Sequence, residues 1–144
     1  MHTTYGADKN GLICGYLITP GGGAQAIDAD AAASRLATPP GADTGFLWLH
    51  FNLAHTGTRP WLAAHAALPD EFFGAIDEGV PSTRIERTEQ ALIAVINDVH
   101  FDFSFEPSDI STLWISVTER LVVTARRQPL RSVDRLRQAV KDGA

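Results

Sequence analysis

With 144 residues, 44% apolar side chains and a formal net charge of −5, the chain is long enough to bury one core and too apolar for intrinsic disorder. No run approaches the roughly eighteen apolar residues that cross a bilayer, and no basic stretch followed by an apolar one opens the chain, so a soluble, unsecreted protein is expected. The single Cys14 excludes an intramolecular disulfide, which fits a reducing compartment.

The net charge hides an asymmetry. Residues 1–118 hold five Lys/Arg against fourteen Asp/Glu, a balance of −9, whereas residues 119–144 hold seven against three, a balance of +4. An acidic body with a basic end points to an anionic partner or an acidic surface for that end, although a solvated helix start accounts for the same charges.

Residues 1–10 are polar and read as a flexible N-terminus. Residues 12–18 form a short apolar run, too short for a helix, and predict a buried strand. Pro20 and three glycines break it, and residues 24–27 return as the second strand of a hairpin. Those glycines lack the Lys-Ser/Thr of a phosphate loop and the spacing of a dinucleotide fingerprint, so they are a turn. Asp28 or Asp30 caps a short helix over residues 31–36, which Pro39 and Pro40 stop. Residues 45–51 predict a second strong strand, apolar on both faces apart from His50. Thr58 is the expected N-cap of the next helix, with Trp61, Leu62, His65 and Leu68 at helical spacing. A further helix follows over residues 70–78, with Phe72, Phe73 and Ile76 on its apolar face and Gly79 as its stop.

The alternation of residues 83–88 predicts an exposed edge strand, and the β-branched run 91–96 predicts the centre of a sheet. Residues 97–105 continue it with alternating polar and aromatic side chains. Residues 110–117 and 121–125 read as a hairpin about Thr118-Glu-Arg120. Ser132 then caps a helix with Val133, Leu136 and Val140 on one face and Asp134 in its first turn. The order of elements gives an α/β (α+β) class, one mixed sheet with helices against it.

Chemistry-bearing residues are sparse. Asp98, His100 and Asp102 share one strand face by period-2 spacing and form a candidate metal cluster, a spacing that an edge strand turning its polar side to water also produces. His50, inside an apolar run, reads as a core histidine with one hydrogen bond rather than a ligand. No nucleophile elbow exists and Cys14 has no basic neighbour in sequence, so no catalytic residue is assigned and an enzyme is not expected. The Phe101, Phe103 and Phe105 row is interleaved with Asp102 rather than with basic residues, which argues against nucleic acid. The arginine cluster is the one unusual local feature. Arg126 and Arg127 end a strand, and Arg131, Arg135 and Arg137 open the last helix, where an anion or a neighbouring subunit's carboxylates would meet them. Pairing with the acidic body of the same domain is the competing reading.

Several segments together carry a family resemblance. Phe46-Leu-Trp-Leu-His-Phe-Asn-Leu, Trp61-Leu, Leu68-Pro-Asp-Glu and Arg84-Ile-Glu-Arg recur in order. They are followed by Leu92-Ile-Ala-Val-Ile-Asn-Asp-Val-His-Phe, Leu113-Trp-Ile and Leu121-Val-Val-Thr-Ala-Arg-Arg-Gln-Pro-Leu-Arg. This ordered set, spanning about residues 11–140, resembles the N-terminal cytoplasmic domain of CorA-type divalent-cation transporters, in particular the ZntB-like branch. The resemblance implies a mixed sheet sandwiched between helical layers that leads into a long C-terminal stalk helix. It divides the chain into a flexible 1–10, a cytoplasmic α/β domain at 11–131 and the start of the stalk at 132–144, with the membrane helices and their Gly-Met-Asn signature absent.

As a member of that family, the chain would be a regulatory or funnel domain of a Zn2+ or Mg2+ transporter. It would work in a homopentamer with its own transmembrane domain, on the cytoplasmic side of the inner membrane. No cofactor is required, and a divalent cation would be cargo or regulatory ligand. Family members hold such ions with acidic side chains between neighbouring domains, for which Asp70, Glu71, Asp77 and Glu78 are the candidates here. Two other readings stay open: a stand-alone anion- or ligand-binding module using the arginines at 126–137, and a small hydrolase or transferase working from Asp98, His100 and Asp102.

Overall fold

The computed structural model describes residues 10–37, 45–78, 83–89, 91–99, 110–127 and 131–142, with the backbone alone at 98, 99, 110, 111 and 131–135. In chain order the elements are β1 (Leu12–Thr19), β2 (Gly23–Ala26), α1 (Ala29–Ala37), β3 (Phe46–Asn52), α2 (Thr58–His65) and α3 (Asp70–Asp77). They continue with β4 (Arg84–Arg87), β5 (Leu92–Val99), β6 (Ile110–Val117), β7 (Leu121–Arg126) and α4 (Arg131–Lys141). The seven strands form one sheet in the order β2-β1-β3-β7-β6-β5-β4. Every pairing is antiparallel except β3 with β7, which makes the sheet mixed, as expected.

Strand alternation sends side chains to two faces, and each face has its own helical layer. On the first face Leu47, Leu49 and Phe51 of β3 lie beside Leu121, Val123 and Ala125 of β7. Trp61 and Leu62 of α2 and Phe72, Ala75 and Ile76 of α3 cover them, with Ala29 and Ala32 of α1 in the same core. The small alanines let α1 approach the sheet closely. On the second face Cys14, Tyr16, Trp48 and Leu113 form a smaller cluster against which Val140 of α4 packs. The expected sandwich is therefore present, with α1, α2 and α3 on one side and α4 on the other. The second face is covered only in part: Ile85, Leu92 and Ile96, at the β4–β5 end, are 71%, 39% and 42% exposed.

Three local readings are corrected. The run 91–96 belongs to β5, which is penultimate rather than central; β7 holds the middle of the sheet. A β-branched run reads the same in either place, because both positions have a strand on each side. Helix α1 begins at Ala29, two residues before the expected start, with the Asp28 carboxylate accepting the Ala31 N–H at 2.8 Å as a cap. Thr58 is not an N-cap. Gly57 holds the cap position without a side-chain bond, and the Thr58 hydroxyl donates instead to the Asn52 carbonyl at 2.5 Å. Buried Thr58 thus ties α2 back to the end of β3, beneath Gly11, whose carbonyl accepts the Asn52 N–H at 2.9 Å. The last hairpin forms as expected: Thr118 closes it by donating its N–H to the Leu121 carbonyl at 2.9 Å and accepting the Leu121 N–H at 3.1 Å.

Candidate functional site

Among the described residues, the parallel pair β3–β7 is the one place where two neighbouring strands end on the same side and the helices that follow them lie on opposite faces. After β3 the chain turns onto the first face as α2; after β7 it reaches α4 on the second. In open α/β sheets this divergence opens a crevice outside the carboxyl ends of the strands, the usual position for a ligand. The register sets Asn52 opposite Arg126 at that crevice, and the Leu53 N–H donates to the Arg126 carbonyl at 2.8 Å.

Just inside the crevice, on the second face, His50 is 3% exposed. Its Nδ1 lies 2.7 Å from Thr124 Oγ1, and the same oxygen accepts the Trp48 indole N–H at 2.9 Å. Thr124 Oγ1 thus joins the indole of Trp48 and the imidazole of His50 across the β3–β7 pair. Tyr16 stacks on Trp48 with ring centroids 5.7 Å apart and closes the cluster from β1. Burial, and then the positive charges of Arg126 and Arg137, lower the His50 pKa from 6.5 to about 4, so the imidazole is neutral at physiological pH. The expectation of a core histidine with one hydrogen bond holds. The influence of the Arg137 charge on it was not expected, although Arg137 stands one turn before Val140, which packs on the same face.

The arginines at 126 and 127 point to different places. Arg126 alternates with Val122 and Thr124 onto the second face, whereas the Arg127 guanidinium lies 5.2 Å from the centroid of the Trp114 ring. Trp114 belongs to the first-face core and donates its indole N–H to the Ala75 carbonyl of α3 at 3.1 Å. The backbones of Arg131 and Arg135 lie in the first half of α4, and their side chains are outside the described residues.

The four acidic candidates form two separate pairs. Asp70 and Glu71 are exposed in the first turn of α3. Asp77 and Glu78 stand at its other end, about 10 Å away along the helix axis. Asp77 is held bidentately by Arg59, at 2.7 and 3.1 Å, and this hydrogen bonding lowers its pKa. Arg59 in turn lies 5.5 Å from the centroid of the Phe73 ring. Glu78 pairs with Arg84, which also reaches Glu86 at 3.1 Å, and these bonds raise the Arg84 pKa. Of the proposed strand cluster, Asp98 sits in β5 opposite Ser111 with only its backbone described, and His100 and Asp102 lie outside the described residues. Among the described residues, no group of three or more His, Cys, Asp or Glu side chains is placed to hold a metal ion. None of the described helices is long and apolar enough to cross a membrane.

Comparison with known proteins bears on the whole domain. The family described as CorA-like Mg2+ transporter protein matches residues 43–144. "Zinc transport protein ZntB" of Yersinia pseudotuberculosis serotype O:1b (strain IP 31758) is 24% identical over 128 residues, 89% of this chain and 37% of that protein. "Divalent cation transporter CmaX" of Pseudomonas aeruginosa is 24% identical over 144 residues, 99% of this chain and 42% of that protein. The solved full-length CmaX structure superposes with a TM-score of 0.76 at 24% identity, covering 96% of this chain and 42% of that one. The ZntB cytoplasmic domain from Vibrio parahaemolyticus RIMD 2210633 gives 0.71 at 15% identity, over 93% and 51%. At these identities the structural matches establish the fold. The chain spans about two-fifths of the length of the curated relatives it matches.

Proposed function

The chain belongs to the family of CorA-like Mg2+ transporter proteins, with the fold of a ZntB-like cytoplasmic domain, and from that premise we propose that it is the cytoplasmic α/β portion of a divalent metal cation transporter. The observation that carries the reading is the family match over residues 43–144, which runs from β3 to the end of the chain and so covers the sheet centre and α4 together. Zn2+ is the first cargo to test, since relatives carrying the name ZntB match 89% of the chain, with Mg2+ second. In this reading the domain is a regulatory or funnel element, and α4 is the first part of a stalk leading toward a transmembrane domain. The working form is a homopentamer at the cytoplasmic side of the inner membrane. The chemistry proposed is binding and conformational coupling, not catalysis.

Asp70, Glu71, Asp77 and Glu78 are the proposed regulatory carboxylates, exposed on α3 where a neighbouring subunit has access. A cation at Asp77 or Glu78 would have to compete with Arg59 or Arg84, so Asp70 and Glu71 are the more available pair.

Two measurements test the reading. The coding sequence beyond residue 144 is expected to contain two apolar stretches joined by a Gly-Met-Asn-type loop, and a stop codon directly after residue 144 overturns the transporter assignment. In the protein carrying those stretches, Zn2+ or Mg2+ is expected to raise the melting temperature. Replacing the four carboxylates by Asn and Gln should remove that rise, and an unchanged rise discards the regulatory role.

A further inference from the structure

We propose that α3 is a conformational switch: it opens locally while the sheet stays folded, and Trp114 and Arg127 set how readily it does so.

The helix is weak on its own. It has eight residues, fewer than the dozen or so at which an isolated helix becomes even marginal in water, so tertiary contacts decide whether it forms. Gly74 stands exposed in its middle. A Cβ built there meets no described atom within 4 Å beyond its chain neighbours and the helix backbone. Packing therefore gives no reason for glycine, the poorest helix former after proline. Pro69 holds the N-cap position without a side-chain bond, and no basic residue occupies the last turn. The capping bond at the other end, from the Glu78 N–H to the Ala75 carbonyl, is 3.4 Å long.

What holds α3 closed comes from other elements. Phe72, Ala75 and Ile76 are buried in the first-face core, which keeps the closed form dominant. Ala75 lies in the last turn, where helix carbonyls lack internal partners, and its carbonyl accepts the Trp114 indole N–H at 3.1 Å. Arg127, just past β7, lies 5.2 Å from the centroid of that ring. A cation on the face of the indole polarises it and strengthens its N–H as a donor. Arg59 of α2 grips Asp77, in the same turn, at 2.7 and 3.1 Å. None of these contacts belongs to the strand ladder, so breaking them leaves every strand pairing in place. Low intrinsic stability held by a few contacts from outside is the signature of a segment that opens by itself.

The opening has a consequence for the carboxylates. Asp70 and Glu71 stand about 10 Å from Asp77 and Glu78 along the closed helix, and opening frees that spacing. That the change serves regulation rests on the transport reading; the opening itself does not.

Native-state hydrogen–deuterium exchange, followed by NMR on the chain without divalent cation, tests the opening apart from that reading. Protection at residues 75–77 is expected to be at least tenfold lower than in β7, and to depend far less on added urea. Gly74→Ala should raise α3 protection about fivefold. Arg127→Gln should lower it about threefold, and Trp114→Phe at least fivefold. Gly21→Ala, in the β1–β2 turn, should lower protection in β7 about fivefold and leave α3 unchanged, because local opening does not involve that turn. Gly74→Ala and Arg127→Gln both alter exposed positions, so these two variants still report if Trp114→Phe fails to fold. Equal protection and equal urea dependence in α3 and β7 would overturn the switch, as would a Gly21→Ala effect of the same size in both. Parental α3 protection in both Arg127→Gln and Trp114→Phe would overturn the part given to those two residues.

Discussion

The indole N–H of Trp114 donates to the carbonyl of Ala75 at 3.1 Å, joining β6 to α3 through the middle of the first-face core. The same ring carries the Arg127 guanidinium on its face, so one residue links the sheet, the acidic helix and the start of the segment leading to α4. The Arg127 charge also contributes to lowering the Asp77 pKa, which places the end of α3 within electrostatic reach of the end of β7.

Replacing Trp114 therefore tests that link. Trp114→Phe keeps an aromatic ring but deletes the donor, and should cost about 1–3 kcal/mol. Trp114→Ala should cost about 3–5 kcal/mol by opening a cavity under α3. Urea denaturation measures both, and a Phe variant as stable as the parent would show that the bond to Ala75 contributes nothing.

His50 gives the stability a pH signature. Its folded pKa of about 4 lies below the unfolded value of 6.5, so between these values the unfolded chain binds more protons. The stabilising contribution is complete above pH 6.5 and is lost as the pH falls toward 4. It is worth at most roughly 3 kcal/mol over that window. His50→Phe should flatten this part of the stability–pH curve, and an unchanged slope would place the titration elsewhere.

The element order was legible because the strands announce themselves as short apolar runs between Gly and Pro breaks, and the ordered segments from Phe46 to Arg131 carried the family. What was not legible is position within the sheet. Residues 91–96 and 121–125 are both apolar and β-branched, and only pairing decides that β7 is central and β5 is not. Thr58 illustrates a second limit: an N-cap and a buried hydroxyl bonded to a neighbouring strand have the same sequence signature. The arginine cluster was visible as composition, but its division was not. Arg127 goes to Trp114 on one side of the sheet while Arg126 faces His50 on the other, a split set by strand alternation and by the chain leaving β7. The four acidic candidates are likewise neighbours in sequence only in pairs, and the length of α3 separates them.

The Arg59–Asp77 pair predicts a titration rather than a stability change, since both side chains are largely exposed and screened by solvent. Two hydrogen bonds from Arg59 favour the charged carboxylate, so Asp77 should titrate below the ordinary Asp value of about 3.9. In Arg59→Gln its carboxyl resonance should move back up toward that value. NMR titration of the Asp77 side chain measures this, and identical midpoints in the two proteins would mean the pair does not persist in solution.

Gly11 is the position where a single methyl group should do most damage. Its φ of +88° is one that side-chain-bearing residues rarely adopt, and a Cβ added there would stand 1.8 Å from Thr58 Oγ1 and 3.1 Å from the Thr58 Cα. The clash cannot be relieved by a rotamer change alone, because Thr58 is fully buried and its hydroxyl is bonded to Asn52. Strain at φ and overpacking each cost of order 1–3 kcal/mol, so Gly11→Ala should lose about 3 kcal/mol or more. Gly21, with φ of +72° and open space around it, isolates the first contribution, and Gly21→Ala should lose only about 1 kcal/mol. Thr58→Ala alone should cost about 1 kcal/mol for its hydrogen bond. Combined with Gly11→Ala it should recover part of the loss, because the hydroxyl oxygen is the nearest clashing atom. A double-mutant cycle in urea measures the recovery as a coupling between the two sites. Strict additivity of the two substitutions would mean that the start of β1 does not rest on α2.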